Sequence, residues 1–206
     1  MSVSIKIIGV TGPSGAGKSL FCAQLKKYGI ETIDADEVYH SLLVPPSDCL
    51  DAIRKAFGSQ VFCQGGTLDR IALGTVVFSS PEKLELLNKT VLGFVIDKME
   101  EMIASFEKEG KKFIFVDAPT LIESGFNKKC NTVISILSTK ETRISRIAVR
   151  DNITVEKAKE RVMAQHSDEF YISNSDFILE NTNDETSFIE KTDELLLKLG
   201  VINNKH

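Results

Sequence analysis

The chain has 206 residues, 42% of them hydrophobic and 26% charged, which suits one globular α/β domain with insertions and is too short for two substantial domains. Its 29 carboxylates outnumber 25 lysines and arginines, so a net charge of -4 argues against a nucleic-acid surface. No apolar stretch approaches a membrane span, and Cys22, Cys49, Cys63 and Cys130 form no C-x-x-C pair, so a membrane partner is excluded and reduced thiols in a cytoplasmic protein are expected.

In chain order, the apolar run Ile5 to Val10 reads as a first strand. Directly after it comes Gly12-Pro13-Ser14-Gly15-Ala16-Gly17-Lys18-Ser19, a complete G-x-x-x-x-G-K-S, followed by a helical pattern from Leu20 to Leu25. Strand, glycine-rich loop and helix in that order form a phosphate cradle: the loop turns its backbone N–H groups inward, at the positive end of the helix. Residues Gly12 to Leu20 are thus candidates to bind ATP or GTP. Lys18 would reach the β- and γ-phosphates, and Ser19 would hold Mg²⁺ through its hydroxyl. The bland alternative is a glycine-rich turn with a surface lysine.

The run Ile30 to Ile33 is expected as a second strand beside the first. Asp34-Ala35-Asp36 then falls at a strand's carboxyl end, where open parallel sheets bind their ligands. Asp34 there could accept a proton from an attacking hydroxyl. Both aspartates suit an N-cap equally well, and the local sequence does not choose.

From 38 to 110 no strong strand pattern occurs, and the segment reads as a helical insertion for a second substrate. Its helices are expected at Leu50 to Phe57, Ile71 to Phe78 and Pro81 to Glu109, the last with a stripe of Leu84, Leu87, Val91, Val95, Met99 and Met102 that reads as core packing. Pro45-Pro46 and Gly65-Gly66 read as turns, and Ser79-Ser80-Pro81 as a capped helix start.

Phe113 to Val116 is a third strand, and its hydrophobic-then-acid form places Asp117 near the Mg²⁺. Strands at Thr132 to Leu137 and Phe177 to Leu179 complete a five-stranded parallel sheet covered on both faces. Between them, 142–165 reads as two helices capable of closing over phosphates as a lid. It carries Arg143, Arg146, Arg150 and Arg161. Arg150 is the one expected to act, because Asp151 follows it at a helix end, whereas Arg143 is expected to face solvent. His40, His166 and His206 show no metal-ligand spacing.

Taken together these residues resemble the dephospho-coenzyme A kinase family. The resemblance runs from Ile7 to about Asn181 and rests on the phosphate loop, Thr32 to Asp36, Gly65 to Arg70, Val116 to Glu123, Arg146 with Arg150-Asp151, Gln165, and Asp176 to Asn181. It implies a P-loop kinase of three α/β/α layers, a single domain over 1–206 with the 38–110 insertion binding the acceptor and 142–165 as lid. It further implies ATP with Mg²⁺, phosphorylation of the ribose 3′-hydroxyl of dephospho-CoA, Asp34 as base, and Lys18 and Arg150 on the transferred phosphoryl group. Arg146 and Asn181 would belong to the nucleotide site, with Asn181 near adenine, and Leu68-Asp69-Arg70 to the acceptor.

The departures fall on the acceptor side. His40 stands where the family usually has arginine, Leu92-Gly93 where it has His-Pro, and Asp168 to Tyr171 in a stretch that is usually basic. They keep open a related kinase of nucleosides or nucleotides, or an ATP-binding protein without turnover. A guanine-nucleotide switch is disfavoured, because Asn127-Lys128-Lys129 is followed by Cys130 rather than the aspartate that pairs with guanine.

Overall fold

In a computed structural model, which describes residues 4–182 and 184–203, the first apolar run forms β1, Lys6–Thr11. Its Ile8 and Val10 point to one face, as the two-residue period of a strand requires. The chain leaves β1 through the glycine-rich loop into α1, Lys18–Lys27, where Phe21 and Leu25 lie one turn apart and fully buried. β2 follows at Thr32–Asp34.

The chain forms two compact units, Met1–Ile33 with Phe106–His206, and Asp34–Ser105. In the second unit α2 covers Ala35–Leu42, α3 Asp48–Phe57, α4 Arg70–Val77 and α5 Pro81–Lys108, the last running on into the first unit. Asp34, Ser47 and Asp69 cap α2, α3 and α4 by accepting N–H bonds of the first turn, which remove part of each helix's unsatisfied donors. Cys49, Leu50, Ile53 and Phe57 from α3, Leu73 and Val77 from α4, and Leu87 from α5 make a core of their own. Along α5 the buried positions are Leu87, Met99 and Ile103, so Ile103 takes the inner place expected of Met102. Gly65-Gly66 forms the expected turn, with Gly66 N–H donating to Cys63 O at 2.9 Å.

β3, Phe113–Asp117, returns the chain to the sheet; β4, Thr132–Leu137, is followed by α6, Lys140–Asp151, and α7, Val155–Met163. α8, Asp168–Ser173, β5, Phe177–Glu180, and α9, Glu185–Lys198, complete the described chain. The sheet order is β2-β3-β1-β4-β5, with β1 parallel to β3 and β4, and β4 parallel to β5.

This order corrects the expectation that the second strand neighbours the first. β3 stands between them, and burial gives the reason. Ile114, Phe115 and Val116 are fully buried in succession, which suits an interior strand covered on both faces, whereas three-residue β2 suits an edge. Phe21 and Leu25 of α1 and Phe188, Leu195 and Leu196 of α9 pack on Ile8, Val10, Phe115, Ile134 and Ile136, one face of the sheet. Each such aromatic or branched side chain contributes about 1.5–3 kcal/mol of burial.

Candidate active site

The loop after β1 is held by its carbonyls, partly from within the motif and partly from α6 and the end of β5. Lys18 Nζ donates to Gly12 O at 2.9 Å, and Ala16 N–H donates to Pro13 O at 3.2 Å. Arg143 Nε donates to Ser14 O at 3.1 Å, and Arg146 Nη1 to Gly15 O at 3.2 Å and Ala16 O at 3.3 Å. Asn181 Nδ2 adds a bond to Ala16 O at 2.8 Å. Every carbonyl from Gly12 to Ala16 is therefore engaged. Because a trans peptide sets its C=O and the next N–H on opposite sides of one plane, holding the Ser14 and Ala16 carbonyls on the α6 side turns the Gly15 and Gly17 N–H groups the other way, while Ser14 N–H is spent on Gln165 Oε1 and Ala16 N–H on Pro13 O. That is the chemistry of an anion cradle.

Gly12 cannot be replaced without rebuilding the turn. Its φ is 137°, and a Cβ there would stand 2.2 Å from the Ile136 carbonyl oxygen.

Arg143, Arg146 and Arg150 follow each other at helical spacings along α6 and share the face toward the loop. Arg150 Nη2 donates to Ser14 Oγ at 3.2 Å, while its Nε donates to Asp151 Oδ1 at 2.7 Å. The bond to Asp151 raises the Arg150 pKa above its ordinary value, and Arg150 and Arg161 hold the Asp151 carboxyl below its own. Three guanidinium groups behind the loop add positive potential where a polyphosphate would sit.

Arg143 corrects the expectation that it faces solvent. It is 1% exposed, and besides Ser14 O it donates to Gln165 Oε1. Burial pulls its pKa down, and Asp168 and Tyr171 partly offset that. The helical pattern alone could not find this, since Arg143, Arg146 and Arg150 share one face by spacing and only the neighbouring loop decides which is covered.

Asn181 is 2% exposed, with its amide spent on Ala16 O and on accepting from Arg146 Nη2 at 3.3 Å. Asp117 ends β3, and its Oδ2 accepts from the Cys22 thiol of α1 at 3.4 Å. Ser19 and Asp117 offer hard oxygen donors of the kind Mg²⁺ takes from protein when phosphates and water complete its shell. Among the described residues no group of three or more His, Cys, Asp or Glu side chains could form a metal cage. The stretch after Gln165, usually basic, supplies His166 stacked on Phe170 at 3.9 Å and 3.3 Å from Glu123.

In the second unit, Asp34 Oδ1 accepts from Asp36 N–H at 2.8 Å and Glu37 N–H at 3.1 Å. Among the described residues Oδ2 receives no hydrogen bond. Cap and base are thus compatible roles, one for each oxygen.

The sequence model of the family described as Dephospho-CoA kinase matches residues 6–186. The chain belongs to the dephospho-CoA kinase family. Its relative in Fusobacterium nucleatum, a dephospho-CoA kinase, is 33% identical over 191 residues, 93% of this chain and 97% of that one. The dephospho-CoA kinase structure from Campylobacter jejuni superposes with a TM-score of 0.72 at 29% identity, covering 95% and 98% of the two chains. A shikimate kinase from Acinetobacter baumannii shares the fold alone, with a TM-score of 0.55 at 14% identity over 98% of this chain and 97% of that one. Membership of the dephospho-CoA kinase family makes the chain an ATP-dependent kinase, and among its described residues no helix is long and apolar enough to cross a membrane.

Proposed function

We propose that the protein transfers the γ-phosphoryl group of ATP to the ribose 3′-hydroxyl of dephospho-CoA, giving CoA and ADP in the cytoplasm. Membership of the dephospho-CoA kinase family over residues 6–186 carries this reading. The pinned carbonyls of Gly12 to Ala16 support its donor half.

In this reading the loop amides and Lys18 hold the β- and γ-phosphates, and Arg146 and Asn181 keep the loop in shape from behind. Asp34 Oδ2 accepts the proton of the 3′-hydroxyl as its oxygen bonds to the γ-phosphorus. The bond from that phosphorus to the β,γ-bridging oxygen breaks, ADP leaves, and Asp34 returns the proton to water. Arg150, on the lid formed by 142–165, takes up charge on the transferring group. Ser19 and Asp117 would hold Mg²⁺, which would neutralise charge on the phosphates. The 38–110 insertion binds the acceptor, with Leu68-Asp69-Arg70 on that side.

A coupled assay with purified protein, ATP, Mg²⁺ and dephospho-CoA tests this. ADP should appear one for one with CoA. ADP release no greater than with adenosine or a nucleoside monophosphate in place of dephospho-CoA would overturn the acceptor assignment.

A further inference from the structure

Ser14 is gripped by both of its backbone groups. Its N–H donates to Gln165 Oε1 at 3.1 Å, its carbonyl accepts from Arg143 Nε at 3.1 Å, and Arg143 Nη2 donates to the same Gln165 oxygen. The three residues close a ring. Arg143 lies in the first turn of α6 and Gln165 just past the end of α7, so the two feet of the α6–α7 hairpin meet at the loop. The hairpin has an apolar seam of its own in Ile147, Ala158 and Val162, which packs its two helices together.

A buried guanidinium is costly unless its N–H groups find acceptors. Here the acceptors are a loop carbonyl and the Gln165 side chain, with Asp168 Oδ1 at 4.0 Å from Nη1. Asp168 and Tyr171 act on this cation from the stretch that is usually basic in the family. Ser14 C=O and Gly15 N–H belong to one planar peptide unit, so holding the first on the α6 side turns the second away from α6, toward the cradle.

We propose that Arg143 and Gln165 are positioning residues that lock the Ser14–Gly15 peptide so that the Gly15 N–H faces the ATP phosphates. They act through Ser14 and touch no substrate. The proposal rests on the cradle holding ATP, the donor half of the function above.

The test compares Gln165→Met with Gln165→Glu by titrating ATP with Mg²⁺ calorimetrically, beside steady-state kinetics and thermal melts. Gln165→Met keeps the side-chain length and removes the acceptor; it should weaken ATP binding and raise the KM for ATP about tenfold. The KM for dephospho-CoA should stay near wild type, while the Tm should fall, because the buried Arg143 and the Ser14 N–H lose their shared acceptor. Gln165→Glu restores an acceptor opposite Arg143 and should recover most of the ATP affinity. ATP affinity unchanged in Gln165→Met, or equally poor in both variants, would overturn the proposal. So would a loss that raises the KM for both substrates alike. Wild-type protein that binds ATP but does not phosphorylate dephospho-CoA would sink the acceptor assignment alone, and the ATP titrations would still decide the brace.

Discussion

The Asn181 amide occupies the space in which a side chain on Gly17 would begin. A Cβ built on Gly17 would stand 2.0 Å from Asn181 Nδ2, the atom that donates to Ala16 O. Gly17 also has a φ of 115°, a conformation strained for any residue with a Cβ. Gly17→Ala should therefore lose ATP binding, measured by titration, and lower the Tm. Adding Asn181→Ala removes the clash but not the backbone strain, so the double variant should stay defective; full recovery would show that the clash alone mattered. Asn181→Ala by itself strips a buried carbonyl of one donor and should cost about 1–3 kcal/mol in urea unfolding.

Asp34→Asn separates the observed cap from the proposed base. Asparagine caps helices as well as aspartate, so α2 should keep its first turn and the protein its stability. Loss of the base should lower kcat by about 10²-fold or more, with ATP affinity little changed. Turnover equal to wild type in the coupled assay would remove Asp34 from the chemistry.

Arg150 differs from Arg143 in having an exposed side chain, tied chiefly to Asp151. Arg150→Met should lower kcat by about 10²-fold with only a small rise in the KM for ATP, the pattern of a group used in the transition state. A change confined to KM would make it a ground-state phosphate contact.

The thiols should sort by environment. Burial pushes the Cys130 pKa from an ordinary 9.0 up to about 12, and burial also raises that of Cys49. Cys63 is exposed. Maleimide at pH 8, followed by peptide mass spectrometry, should label Cys63 first and spare Cys49 and Cys130 until the protein unfolds. Because the folded Cys130 thiol holds its proton longer than the unfolded one, its contribution to stability is complete below pH 9 and fades as pH rises toward about 12. Melts at rising alkaline pH should show this decline, and Cys130→Ala should blunt it.

The elements were legible where pattern is local. The five apolar runs, the glycine turn at Gly65-Gly66 and the caps at Thr154 and Ser80 depend on residues within a few positions of each other. The order of the sheet was not, because β2 and β3 are separated by the whole of the second unit and nothing in β2 itself says which strand it will meet. The same holds within the site. Lys18, Ser19 and the glycines announce themselves by spacing, while for Asp34 the sequence left base and cap open, and the structure shows the cap, made by one oxygen alone.

By itself the sequence determined that a phosphate loop joins a strand to a helix, and that the rest of the chain follows a kinase pattern from Thr32 to Asn181. Those are properties of neighbours along the backbone. Only the tertiary structure decided that Arg143 is buried, that it and Gln165 hold Ser14, and that Asn181 lies against Gly17. These contacts span 129 to 165 residues of chain, and a hydrogen bond of that reach is set by packing, which no local spacing encodes.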